Sequence, residues 1–263
     1  MRFVLCCVFG VFALTKASVA QTADASTIDS VTKSGVLRVG WAVYFPYMFQ
    51  DPRTQQVSGI SVDLFNEIGK ELGAKVEFVE DNWSTMIAGL QARKFDLMIP
   101  VANTPARAEM VGFTIPMIKI ALGMAVLKKD ADKYHSWQDL DKAGLRVSTT
   151  MGSSVHTALA PQLKTAELLL MKSGSESVAQ VLSGRADAWA NTYDAFMFMQ
   201  KEQPGLTVVP GAPFGYDVLA LSYRKGDLKT KQWLEQFIVK ERDSGALLRI
   251  ISKYGLDASY IAQ

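Results

Sequence analysis

Residues 94–110 read KFDLMIPVANTPARAEM. The first part, Asp96–Val101 (DLMIPV), is a short, nearly unbroken apolar run, the pattern of a strand buried on both faces. The second part contains Thr104-Pro105, a hydroxyl placed to cap a helix followed by Pro at the first helical position, where a missing N–H costs nothing. A buried strand running straight into a helix is one β/α unit. The same alternation continues outward. Upstream, Leu37–Gly40 reads as a strand, and Val62, Phe65, Ile68 and Leu72 keep helical spacing before a C-capping Gly73. Lys75–Glu80 (KVEFVE) alternates like a strand, and Trp83–Ala92 is helical by pattern. Downstream come a long apolar strand, Ile118–Leu127, and a short helix opened by Ser136–Asp139 that ends near Gly144. They are followed by a strand at Leu145–Thr149, a tight loop at Gly152–Ser154 and a helix from Val155 to Leu159. A helix at Glu176–Leu182 with Gly184, a strand at Asp187–Ala190 and a helix at Tyr193–Gln200 complete this second set. Lys229–Ser244 and Leu247–Tyr254 form two amphipathic helices. The pattern predicts an α/β fold with a mainly parallel sheet. No long Gly/Ser- or Pro-rich tether divides the two β/α sets.

Composition narrows the function classes. The 263 residues are 49% hydrophobic and 21% charged, an ordinary globular balance. Arg2 and Lys16 are the only charges in the first twenty residues, and the remainder carries equal numbers of acids and bases. A neutral chain without a Lys/Arg-rich run lacks the footprint of a nucleic-acid binder. At the N-terminus, Arg2, the apolar run Phe3–Leu14 and the small residues Ser18-Val19-Ala20 have the layout of a secretory signal, residues 1–20, cleaved after Ala20. Twelve apolar residues are too few to cross a bilayer that needs about 20. The expected location is the periplasm. Both cysteines, Cys6 and Cys7, lie in that signal, so the mature chain has no disulfide, thiol nucleophile or Cys-based metal site.

The landmarks, taken in order, resemble the family 3 periplasmic solute-binding proteins, receptors of polar amino-acid ABC transporters. They are LRVG (Leu37–Gly40), the cluster Tyr44–Tyr47, GISVDLFNEIGKELG (Gly59–Gly73), KFDLM (Lys94–Met98) and NTPARAEMVGFTIP (Asn103–Pro116). MGSS (Met151–Ser154), GRADAWAN (Gly184–Asn191) and YRKGD (Tyr223–Asp227) follow. The resemblance implies a two-lobed periplasmic binding protein fold of type II, closing on a ligand in the cleft between lobes. It implies lobe 1 over 34–118 plus 220–263 and lobe 2 over 123–211, joined by two crossing strands. The implied function is an extracytoplasmic receptor for a small carboxylate-bearing solute, an amino acid or analogue. Its partner would be an inner-membrane ABC permease, with a monomeric state and no cofactor.

Arg107 leads the candidate ligand residues. It sits in the first turn of a helix at the C-terminal end of a strand, the edge where open α/β sheets bind ligands, and its planar fork matches a carboxylate. The resemblance gives the Arg of T-x-x-R that role. Asn103 and Thr104 share the edge; for Thr104 a plain capping role competes, and either Ala102 or Asn103 occupies the position where relatives carry a hydroxyl. Ser153 and Ser154, between a strand and a helix, form an anion-favouring edge opposite Arg107. The resemblance implies aromatic walls after the first strand and near the start of the second helix, which makes Tyr44 and Trp83 the expected pocket walls and Tyr47 packing. The resemblance also exposes a departure. Relatives place an ammonium-binding Asp five residues after the Asp of G-R-x-D-A, and here Thr192 stands there, preceded by Asn191. Asp194 and Asp217 are the alternative counter-charges, although Asn191 and Asp194 also have the spacing of an N-cap and its helical partner. Trp41-Ala42-Val43 lacks the Asp that accompanies cationic ligands.

Enzyme motifs are weak. Ser30-x-x-Lys33 has no companion motifs, and the only histidines, His135 and His156, lie in different segments. Periplasmic cyclohexadienyl dehydratases share the implied fold and carry a Glu general acid in the helix after the D-A strand. Ala195 occupies that position here.

Overall fold

The computed structural model describes residues 26–51 and 53–262; the expected signal, residues 1–20, falls outside them. Helix α1 (Thr27–Ser34) precedes β1 (Val36–Trp41), and a small hairpin, β2 (Phe49–Gln50) with β3 (Val57–Ser58), leads into α2 (Ile60–Leu72). Then come β4 (Lys75–Glu80), α3 (Met86–Gln91), β5 (Leu97–Ala102), α4 (Pro105–Met110) and β6 (Gly112–Phe113). The long β7 (Ile118–Leu127) carries the chain into a second run. That run holds β8 (Arg146–Thr150), α5 (Ser154–Leu159), β9 (Glu167–Met171) and α6 (Gly174–Leu182). It ends with β10 (Ala188–Thr192), α7 (Tyr193–Glu202) and β11 (Leu206–Val208). β12 (Gly215–Tyr223) returns, followed by α8 (Leu228–Asp243) and α9 (Ala246–Ser252).

The main sheet is ordered β4-β1-β5-β12-β7-β10-β8-β9. β5 lies between β1 and β12, and all six of its residues are buried, which is why its sequence is unbrokenly apolar. β4 is an edge strand, and its Lys and Glu residues face out. The flanks are parallel, β4-β1-β5 on one side and β10-β8-β9 on the other. The middle is antiparallel, because β7 and β12 cross between the two β/α runs in opposite directions. The parallel expectation therefore holds for the flanks and not for the centre.

Apolar side chains gather on both sides of these crossing strands. One core joins β1, α2, β5, α8 and α9 through Leu37, Phe65, Ile99, Phe237 and Ile251. Across the crossing, Leu122, Met124 and Val126 of β7 face a core with Val147, Leu159 and Ala188. Ala125, between them, faces the opposite side, packed with Val181, Trp189 and Phe196. This period-two split is what a strand with both faces covered requires. The result is a curled, two-lobed α/β fold.

Local differences from the sequence pattern have local causes. The helix expected over 83–92 starts only at Met86. Asn82 Oδ1 accepts the Ser84 N–H and Asp81 binds the Thr85 hydroxyl, so side chains compete with the first helical turn. The Ser136 segment is a single 3-10 turn, Trp137–Leu140, closed by a Ser136/Asp139 capping box. α2 ends as expected, with Gly73 in the left-handed region at φ 63°.

Candidate functional site

The C-terminal ends of β1, β5, β8 and β10 converge on one cleft, the location that sheet topology assigns to ligands. β1 delivers Val43 and Tyr44; β5 delivers Ala102; β8 delivers Thr149, Thr150, Ser153 and Ser154; β10 delivers Asn191 and Thr192; and the crossing strand β12 delivers Asp217. Trp83 and Phe45 are apolar parts of the wall. The enclosed void is narrow, about 30 Å³.

Arg107 flanks this cleft. Its N–H is accepted by Thr104 Oγ1 at 3.4 Å, which fixes the first turn of α4. The guanidinium folds back. Nη1 donates to the Ala102 carbonyl and Nη2 to the Gly152 carbonyl, both at 3.2 Å, so the side chain spans from β5 to the loop after β8. It lies 5.6 Å above the Trp83 ring, a cation–π distance. Burial pushes its pKa down, and the Asp217 charge opposes that shift. Two of its five N–H donors are engaged, leaving three for a ligand.

Tyr44 and Trp83 line the cleft, in edge contact at 5.3 Å, and Trp83 Nε1 donates to the Val43 carbonyl at 3.2 Å. Tyr47 stacks behind Tyr44 at 4.6 Å and is fully buried. Ser153 is at the cleft, but its hydroxyl is committed: it donates to the Thr150 carbonyl and accepts the His156 N–H. Ser154 Oγ donates to Asp217 Oδ2 at 2.5 Å. Burial raises the Asp217 pKa, while the Ser154 hydroxyl and the Arg107 charge hold it down.

The start of α7 differs from the spacing-based reading. Asn191 is the penultimate residue of β10, and its Oδ1 accepts the Thr192 N–H at 2.8 Å. Thr192 takes the N-cap position without a side-chain cap bond. Both residues line the cleft. Asp194 does not. It is 1% exposed, its Oδ1 accepts the Ala195 N–H, and its Oδ2 has no hydrogen-bond partner, as is true of the Tyr47 hydroxyl. Burial lifts its pKa to about 6, against the pull of the neighbouring Thr192 and Tyr47 hydroxyls. Asn103 and Thr104 also stand outside the lining: Asn103 is exposed, and the Thr104 hydroxyl caps α4. Asp217, one of the two alternative counter-charges, is in the lining; Thr149 and Thr150 are polar lining residues that were not singled out as ligand contacts. The hydroxyl run Ser148-Thr149-Thr150 at the end of this strand was the available signal for the two threonines.

Among the described residues, no group of three or more His, Cys, Asp or Glu is placed to hold a metal ion, and no helix is long and apolar enough to cross a membrane. His156 Nδ1 accepts the Gly152 N–H and serves the loop.

Known proteins with this organisation are numerous. A probable amino-acid ABC transporter-binding protein of Haemophilus influenzae is 28% identical over 87% of this chain and 88% of its own. The cyclohexadienyl dehydratase of Pseudomonas aeruginosa is 24% identical, over 88% of this chain and 87% of its own. Among solved structures, an ancestral amino acid-binding protein described as a precursor of cyclohexadienyl dehydratase superposes with TM-score 0.80 at 32% identity, covering 88% of this chain and 99% of its own. Residues 37–257, from the first strand to beyond α9, match the bacterial extracellular solute-binding proteins, family 3; with the cleft at the strand ends, this places the chain in that family.

Proposed function

We propose that this protein is the receptor of an amino-acid ABC importer. It captures an amino acid or a close carboxylate-bearing analogue in the cleft, closes on it, and presents the closed form to an inner-membrane permease. One observation carries the reading: Arg107, half-buried at the C-terminal edge of β5, reaches across to the Gly152 carbonyl and keeps donors free. A carboxylate there would meet a planar fork and the free N–H groups at the start of α5. The same reading assigns residues 1–20 as a signal cleaved for export to the periplasm. It divides the mature chain into lobe 1 (34–118 plus 220–263) and lobe 2 (123–211), acting as a monomer without cofactor or nucleic acid. Ser154, Asn191, Thr192, Tyr44 and Trp83 complete the ligand walls, with Thr104 supporting Arg107.

A dehydratase reading has one thing in its favour, the Pseudomonas aeruginosa relative. Against it, Ala195 is fully buried where an acid would be needed, and its neighbour Asp194 does not reach the cleft lining. We therefore assign no catalytic residue.

The test is a thermal-shift screen of the refolded, ligand-stripped mature chain against amino acids, organic acids and prephenate. A ligand at 100 times its Kd adds about 2.7 kcal/mol of stability. A shift with an amino acid supports the proposal. A shift with prephenate accompanied by steady release of phenylpyruvate would replace it with the enzyme reading.

A further inference from the structure

Charge in the cleft is sparse and specific. Among the described residues that line it, Asp217 alone carries a formal charge. Arg107 flanks it, and its hydrogen bonds go to the carbonyls of Ala102 and Gly152, not to Asp217. The remaining wall is aliphatic, aromatic, hydroxyl or amide. Asp217 is 5% exposed, on the crossing strand β12, opposite Ile120 of β7. Ser154 fixes one carboxylate oxygen at 2.5 Å, and no described residue hydrogen-bonds the other. A half-buried cation flanking the cleft and a buried anion lining it, without a hydrogen bond between them, suit a ligand carrying both charges. A plain carboxylate would bring a second negative charge beside Asp217. A lysine-like side chain would bring an ammonium with no acid left to meet it, and a glutamate-like one a carboxylate with no base.

Building on the receptor reading above, we infer that Asp217 receives the ligand's α-ammonium, and that the ligand class is α-amino acids with uncharged side chains. The acid missing from position 192 is thus supplied from the crossing strand. Asp194 does not supply it, because its carboxylate is sealed beside Tyr47, outside the cleft lining.

The experiment is titration calorimetry on the ligand-stripped mature chain with L-alanine, L-serine, L-cysteine, L-glutamine, L-lysine and L-glutamate, each alongside its desamino acid. The tightest of the six should be an uncharged one, and its desamino counterpart should bind at least 100-fold more weakly. Asp217→Asn should bring the two within 10-fold of each other, while Asp194→Asn keeps the gap. Because the readout is a ratio within one protein, a general loss of folded chain does not imitate it. If Asp217→Asn fails to fold, Asp217→Ser, still able to bond Ser154, gives the same readout. A gap that survives at Asp217→Asn, a gap that closes at Asp194→Asn, or tightest binding of lysine or glutamate would overturn the inference. No binding of any amino acid by the unmutated chain would overturn the amino-acid reading itself, and this inference with it.

Discussion

Two aspartates near one tyrosine illustrate how position decides role: Asp217 and Asp194 both influence Tyr44, yet only Asp217 lines the cleft. Asp194 is better understood through stability. Its pKa is about 6 in the fold and 3.8 as an ordinary aspartate. The folded chain therefore binds a proton more tightly than the unfolded chain between those values. The contribution is favourable at low pH and declines as pH rises from about 4 through about 6, by on the order of 3 kcal/mol. Asp194→Asn removes the buried charge, and the new amide can reach the unpartnered Tyr47 hydroxyl. Relative to the unmutated chain, the variant should be about 1–3 kcal/mol more stable above pH 7 and little changed near pH 4. Urea unfolding at both pH values checks this; equal differences at the two would refute it. At this scale the sequence was partly legible. Arg107 and Ser154 carried signals in their turn chemistry, whereas Tyr44 and Trp83 were singled out only through the family resemblance. Choosing between Asp194 and Asp217 required knowing that α7 turns one carboxylate inward and that β12 passes beside Ser154, a contact across 63 positions.

Among the elements, α4 carries Arg107 at the edge of the cleft. It has only six residues, none of them buried, so packing does little to hold it. Its geometry depends on Pro105 and on the Thr104 cap. Thr104→Ala should cost about 1 kcal/mol of stability and also weaken ligand binding, since Arg107 hangs from the capped turn. Thermal unfolding and calorimetry on the same preparation separate the two effects; a stability loss with intact affinity would show that Arg107 is positioned by its carbonyl contacts alone. Strands and helices with a buried stripe or continuous run were readable, as β5, β7, α2 and α8 show. β9, at the sheet edge, and β12, whose Gly215–Asp217 start is polar, lacked that pattern and were missed as strands from residues alone. The antiparallel centre of the sheet was equally invisible, because strand direction depends on the crossing and leaves no mark in local periodicity.

In the whole molecule, the two runs touch closely around the cleft. Gly152, at φ 78°, has backbone so near Ser84 that an added Cβ would lie 3.0 Å from Ser84 Cα. Phe198 of α7 stacks on Phe45 at 5.4 Å and lies 4.9 Å from Phe49, both from the other run. In the receptor proposed above these contacts would hold the closed arrangement, since hinge closure is a recognised response of such receptors to ligand. Gly152→Ala combines a strained left-handed residue with a clash against backbone, so the closed form should lose more than the open one. Ligand affinity should fall at least 10-fold, and small-angle scattering with saturating ligand should show a larger radius of gyration than the unmutated chain. Unchanged affinity and radius would mean that the Gly152–Ser84 approach does not govern closure. Two β/α sets and the absence of a tether pointed to this architecture, but the Gly152–Ser84 approach, which joins distant segments, could not be read from either segment alone.

The most direct measurement of the central proposal is calorimetric titration of the stripped mature chain and of Arg107→Ala with the amino acid that gives the largest thermal shift. The expected result is one-to-one binding by the unmutated chain, weakened in Arg107→Ala by about 2–5 kcal/mol, as for one partner of a buried charge pair. Equal affinity in a folded Arg107→Ala chain would contradict the assignment of the ligand carboxylate to this cleft edge.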